Sequence, residues 1–217
     1  SGSRIPLRKN KEISYEIIDF SGETNVQFRT SVDPGSYIPT HWHRAIEIIY
    51  MQEGSLDVTV ESESFTIHEG DCILVNGNVL HSTKCTAPNT AILLQIPLDF
   101  MAKYIPDLGQ LIFLWDYRTE DPVKKTKLMM LKTTLEQLQV INDIRPDGYL
   151  LRFNSLIFEL LFQLYHNFSV KVFHQNINQR QKEMDRLDPV LNYIAEHYKE
   201  PISLDEIADI ACLQTHN

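Results

Sequence analysis

Cysteine is scarce, with only Cys72, Cys85 and Cys212 among 217 residues and no CxxC pair. Three thiols cannot all pair, which fits a reducing cytoplasm better than an extracellular disulfide framework. Basic charge is short too: 20 Lys and Arg face 29 Asp and Glu, a formal net charge of -9. Nucleic-acid binders take most of their affinity from basic side chains, so this stretch is not expected to grip a phosphate backbone by itself. Long apolar runs are also missing. The richest, Leu156 to Tyr165, is interrupted by Glu159 and Gln163, whereas a membrane span needs roughly 18 uncharged apolar residues. The opening Ser1-Gly2-Ser3 has neither an initiator Met nor a basic-then-apolar leader, and is expected to be a vector-derived remnant. These absences predict a soluble, cytoplasmic protein with no membrane partner.

What is present is ordinary globular material, 43% hydrophobic, enough for one good core plus a smaller unit. Up to about Pro97 the chain alternates in short runs: Ile13 to Phe20, Val26 to Val32, Ile46 to Met51, Leu56 to Val60, Phe65 to His68, Cys72 to Val75 and Ala91 to Ile96. Many short strands at such spacing predict a sandwich or barrel. Glu53-Gly54, Glu61-Ser62-Glu63 and Glu69-Gly70 are hydrophilic breaks suited to reversing the chain.

After Leu98 the period becomes helical. Leu128, Leu131, Leu135 and Leu138 recur at three- and four-residue steps between Asp121-Pro122, a start signal, and Arg145-Pro146, a stop signal. A second helix is predicted from Asp147-Gly148 to Asn167, with Phe153, Leu156, Ile157, Leu160, Leu161 and Leu164 on a stripe wide enough for the barrel and a partner. The polar stretch from Gln175 reads as a linker. Beyond it, Asp188-Pro189 opens one short helix, and Ser203 with Glu206 forms a capping box for another.

The most informative segment is Gly35-Ser-Tyr-Ile-Pro-Thr-His41-Trp-His43-Arg-Ala-Ile-Glu47-Ile-Ile-Tyr-Met-Gln-Glu-Gly54. It resembles the first cupin motif at every element: Gly35, His41, His43, Glu47 and Gly54. The second cupin motif is matched in part by Gly70 and His81, with Asn76 and Asn78 standing where that pattern has Pro and Gly. The resemblance covers about residues 13 to 97 and implies a jelly-roll barrel.

Two His two apart on a strand face the same way. Glu47 on the same straight strand would lie about 13 Å from His43, too far to share an ion whose ligands each sit about 2 Å away. The backbone at Arg44-Ala45 must therefore bend or bulge. Three His and one carboxylate, His41, His43, His81 and Glu47, would suit Zn, Ni, Fe or Mn. The same side chains can instead hydrogen-bond one another or a small-molecule effector. Arg29, Tyr37 and Gln95 are further candidate ligand contacts. His68, at a turn, is expected to be solvated, and Trp42 and Ile46 to face away from the site.

Leu191-Asn-Tyr-Ile-Ala-Glu-His-Tyr-Lys-Glu-Pro201-Ile-Ser203-Leu-Asp-Glu-Ile-Ala208-Asp-Ile-Ala211-Cys-Leu213 resembles the opening of the DNA-binding domain of AraC/XylS-family transcription regulators. Cys212 stands where that family commonly has Gly. The resemblance implies that a recognition helix, which enters the major groove, begins near Gln214 and runs past the residues present, so none of these is expected to read DNA.

Together these readings predict an α+β protein with four parts. Residues 1–98 form a cupin effector-binding barrel, 99–174 a helical dimerisation segment, 175–187 a linker, and 188–217 the start of a helix-turn-helix domain. The expected function is a homodimeric, ligand-responsive bacterial transcription regulator that senses a sugar-like or other metabolite and acts on promoter DNA through the full-length carboxy-terminal domain. It is not expected to be an enzyme and has no assigned catalytic residue. The alternative readings are a metal-dependent cupin isomerase or dioxygenase using His41, His43, Glu47 and His81, and a pure dimerisation module with an empty barrel.

Overall fold

The computed structural model describes residues 13–19 and 22–172, together with positions 193, 205, 206, 209 and 210. The expected linker 175–187, the helices of 188–217 with their capping Ser203, and Cys212 lie outside the described residues, those five positions aside. The chain divides into two compact units. The first comprises residues 1–106 and 113–169, so it holds the barrel strands and the two long helices. The second comprises 107–112 and 170–217, and its described part includes the single 3-10 turn at Leu108–Gln110.

The first unit is a cupin jelly roll of two facing sheets. One sheet has the order β1-β3-β8-β5-β6 and the other β2-β9-β4-β7. The strands are β1 (Ser14–Tyr15), β2 (Gln27–Asp33), β3 (Tyr37–Trp42), β4 (Ala45–Glu53), β5 (Ser55–Val60), β6 (Glu63–His68), β7 (Cys72–Val75), β8 (His81–Lys84) and β9 (Asn89–Pro97). The predicted breaks reverse the chain. Gly54 adopts φ +79 between β4 and β5, where a Cβ would come within 2.7 Å of the Pro88 carbonyl oxygen. Glu61 takes φ 54 at the β5–β6 hairpin, a left-handed conformation that a tight turn imposes.

β4 is buried along most of its length, as a strand covered on both faces must be. Its odd positions face the barrel interior: Glu47 pairs with Gln95 and Ile49 with Leu93 across β9. Its even positions meet the helices. Tyr50 donates to Glu136 at 2.8 Å and Gln52 to Gln139 at 2.9 Å. Phe28 on β2 meets Phe153 edge-on at 5.9 Å.

The short helix α1 (Leu98–Ala102) follows β9. α2 (Pro122–Ile144) starts and stops where its signals stand. The Asp121 carboxylate accepts from the Lys124 amide at 2.9 Å, and Arg145 leaves the helix in a left-handed conformation. α3 (Tyr149–Phe168) follows after Gly148. Leu131, Leu135 and Leu138 of α2 and Phe153, Leu156, Ile157, Leu160 and Leu164 of α3 are buried. A strip of β10 (Leu111–Phe113) and β11 (Ser169–Lys171) completes the described elements. No helix among the described residues is long and apolar enough to cross a membrane.

Candidate metal centre

β3 belongs to one sheet and β4 to the other. The chain turns between them at His43 and Arg44, which is the bend that the spacing of His43 and Glu47 demands. Across that corner His43 Nε2 lies 3.2 Å from Glu47 Oε2. β8 brings the third imidazole, because His81 is paired directly opposite His41 in the β3–β8 ladder. Ring centroids are 4.2 Å apart for His41 and His81 and 4.9 Å for His43 and His81. All three His are buried, and one ligand atom from each lies within 4.8 Å of the others.

The Asn residues that replace Pro and Gly of the second motif explain how His81 still arrives there. Asn78 adopts φ 64, a left-handed conformation that Asn tolerates better than most residues, and its amide donates to the His43 carbonyl at 2.9 Å. Asn76 exchanges two hydrogen bonds with the backbone of Phe113, at 2.8 and 2.9 Å.

Each imidazole is oriented from behind. His41 Nδ1 is 2.9 Å from the Pro39 carbonyl, His43 Nδ1 3.0 Å from the Ala45 carbonyl and His81 Nδ1 2.8 Å from the Val79 carbonyl. A carbonyl oxygen only accepts, so each Nδ1 donates its proton and each Nε2 of a neutral ring is left with a lone pair. These Nε2 atoms converge on two carboxylates. Glu47 Oε2 is 3.2 Å from that of His43 and 3.9 Å from that of His81. Glu16 Oε2 is 3.3 Å from that of His41 and 3.9 Å from that of His43.

Lone pairs facing carboxylates are reconciled only by protons or by a cation. His81 Nε2 is fully buried with no hydrogen-bond partner, and burial holds its pKa below the ordinary imidazole value. Burial also works on Glu47, in the direction of neutrality. In the metal-free cluster, when the imidazoles carry protons, hydrogen bonds from His43 and Gln95 and the charges of His81 and His43 overcome it, and the carboxyl is held at about 2. The donor set therefore fits a divalent transition metal: three Nε2 atoms with their other nitrogens anchored, beside ionised carboxylate.

Of the other predicted residues, Gln95 joins this cluster, its amide donating to Glu47 Oε2 at 2.8 Å. Arg29 stands in the wall of an adjoining cavity of about 630 Å³, which Glu16, His41, Glu47 and Gln95 also line. Tyr37 is not brought in. It is 60% exposed, and a register shift in β3 between Ile38 and His41 puts Ile38 in the cavity wall instead. His68 is exposed at the end of β6, and Ile46 is buried opposite the site face, as predicted. Glu16 was invisible to sequence reasoning. It lies outside the cupin motif, one of two acids with Asp19 in the run Ile13 to Phe20, and its pKa is lowered first by the bond to His41.

Residues 28–97 match the family model of the cupin domain. Two transcription regulators are similar to the chain at low identity. One is an uncharacterised helix-turn-helix-type transcriptional regulator, YdeC, of Bacillus subtilis, 24% identical over 83% of this chain and 64% of the relative. The other is a probable transcriptional regulator, LumQ, of Photobacterium leiognathi, 26% identical over 80% of this chain and 62% of the relative. The chain thus spans under two thirds of the length of either. Among solved structures, an RmlC-like cupin from Shewanella frigidimarina is 25% identical over 35% of this chain and 71% of its own, with a TM-score of 0.32.

Proposed function

We propose that the chain is the sensory part of an AraC/XylS-family transcription regulator, in which a small molecule enters the barrel cavity and changes how a carboxy-terminal helix-turn-helix domain is presented to promoter DNA. The observation that carries this reading is the cavity of about 630 Å³, within the size range of sites for small metabolites. Carboxylates, amides, hydroxyls and Arg29 stand in its wall. Such lining offers both donors and acceptors to a ligand rich in hydroxyl groups, a sugar or a hydroxy acid. The regulator relatives, by name, supply the DNA-facing half of the reading.

The helices supply its transmission. α2 carries Glu136 and Gln139, bonded to Tyr50 and Gln52 on the back of β4, the strand whose inner face presents Glu47. Exposed Leu151, Phe158, Phe162 and Tyr165 of α3 fall at three- and four-residue spacing with Ser155, a stripe suited to a second copy in a homodimer. An effector works here by binding one arrangement more tightly than the other, since only differential affinity shifts a population.

A divalent ion at His41, His43, His81 and Glu47 would supply a Lewis-acidic position beside the cavity for an oxygen of the ligand. The same arrangement favours the enzyme reading in one respect, because ligand and ion site share a wall. Thermal-shift measurements on the zinc-loaded chain against a panel of monosaccharides, hydroxy acids and amino acids separate the two. A raised melting temperature with one class, lost in Arg29→Ala and Gln95→Leu and without consumption of the compound, is expected. Multiple-turnover conversion of the bound compound would replace the sensor with an isomerase or dioxygenase.

A further inference from the structure

The strand that precedes the cupin motif is fastened to the site at several points. β1 runs parallel to β3, pairing Ser14 with His41 and Tyr15 with Trp42. The Glu16 amide donates to the Trp42 carbonyl at 2.9 Å, and the Tyr15 ring lies 4.6 Å from that of Trp42. Further along, the Asp19 carbonyl accepts from the Gln27 side chain. This docking delivers a carboxylate to the two histidines that β3 and the corner present.

We propose that Glu16 is a further ligand of the cation at the histidine cluster, supplied from outside the cupin motif, and that docking of residues 13–19 is thereby coupled to occupancy of the site. The inference rests on the metal-site reading above. Its warrant is that Glu16 stands to the imidazoles as Glu47 does. Its Oε2 faces the Nε2 atoms of His41 and His43 at 3.3 and 3.9 Å, an arrangement that a proton closes in the metal-free protein and a cation closes when one is bound. Glu47 faces those of His43 and His81 at 3.2 and 3.9 Å. The two carboxylates flank the cluster, and with three neutral imidazoles their two negative charges match one divalent ion.

They differ in access. The Glu47 side chain is 11% exposed and held by Gln95, whereas that of Glu16 is 45% exposed. Both line the cavity, so Glu16 is the carboxylate that an entering ligand can displace. Displacement would release one of the anchors of residues 13–19 while His41, His43, His81 and Glu47 keep the ion.

The test compares the parent with Glu16→Ala, Glu16→Gln and Glu16→Asp. Zinc affinity is read by competition with a chromophoric chelator, coordination by the visible spectrum of the cobalt-loaded protein, and docking by amide hydrogen exchange of residues 13–19 with and without zinc. Glu16→Ala should bind zinc about 10- to 100-fold more weakly, the range for losing a supporting group at a metal. Its cobalt spectrum should change, with partial recovery in Glu16→Asp. Zinc should slow exchange of residues 13–19 in the parent but not in Glu16→Ala. Unchanged affinity and spectrum in a variant that still binds metal would overturn the role of Glu16 and leave the metal centre standing. A parent that takes up no zinc or cobalt would overturn both.

Discussion

Towards one end of the barrel Ile49, Met51, Leu56, Val58, Ile67, Ile73, Cys85 and Ala91 pack into a buried cluster. At the other end, on some of the same strands, His41, His43, Glu47 and His81 are buried to a similar degree. Only Ile48 separates Glu47 from Ile49 along β4. Burial at the first end removes apolar surface from water and is favourable by itself. Burial at the second strips water from groups that need partners and is tolerable only if something pairs them. A small barrel can therefore carry a polar cluster because its apolar end supplies the stability, and the two ends should respond oppositely to mutation.

The largest effect on folding should come from the apolar end. Ile67→Ala removes a side chain that is 0% exposed and should lower the unfolding free energy by about 2–5 kcal/mol, measured by urea denaturation. The folded fraction should keep its zinc stoichiometry. Loss of zinc binding in protein that is still folded would show that the two ends are mechanically coupled.

His81→Ala should do the reverse. Zinc affinity should fall by about 100-fold or more, since even the groups that support a metal ligand are worth 10- to 100-fold. Stability of the metal-free protein should change by no more than about 1 kcal/mol, because deleting the buried Nε2, which has no partner, relieves a desolvation cost that offsets the lost packing and the lost bond from Nδ1 to the Val79 carbonyl. Calorimetric zinc titration together with urea unfolding in chelator checks both halves. A large loss of metal-free stability would mean that His81 is a structural residue first.

This contrast also explains what was legible in the sequence. Strands of the apolar end announced themselves: Cys72 to Val75 matches β7 residue for residue, and Leu56 to Val60 matches β5 to within one position. The two strands that carry the site were not marked by apolar runs. β3 contains Pro39 and is exposed over half its length, while β8 reads His-Ser-Thr-Lys. Both are held by ladder pairing and by groups facing inward, to which hydrophobic period is blind. The spacing of Gly, His and Glu found them instead. It missed Glu16, which reaches the site through a parallel pairing of distant segments. It also misjudged Tyr37, since a register shift in β3 is not written in residue type. The start and stop of α2 were readable because capping is local chemistry: Asp121 before Pro122, and Arg145 before Pro146.

The smallest effect should be on the pH profile of the metal-free protein, because the polar end contains opposed titrations. His41 has its pKa raised. Burial disfavours its charged form, but the bond to Glu16 and the Pro39 carbonyl outweigh it. Its contribution to stability is complete below the ordinary imidazole value and fades as pH rises through the higher folded value. His81 has its pKa lowered by burial, so its contribution is complete above the ordinary value and fades as pH falls through the lower one. From about pH 8 to 5 the two slopes oppose each other. Glu47, held at about 2 against an ordinary 4.5, contributes above 4.5 and is lost as pH falls from there towards 2. Glu16 shifts in the same direction. In chelator the urea midpoint should thus stay nearly level near neutrality and drop on the acid side of 4.5. His41→Ala removes the group that gains on acidification, so that variant should already lose stability between about pH 7 and 5. Glu47→Gln should flatten the acid limb. A parent whose midpoint declines steadily from the alkaline side would mean that His81 titrates unopposed and that Glu16 does not hold the proton of His41 in solution.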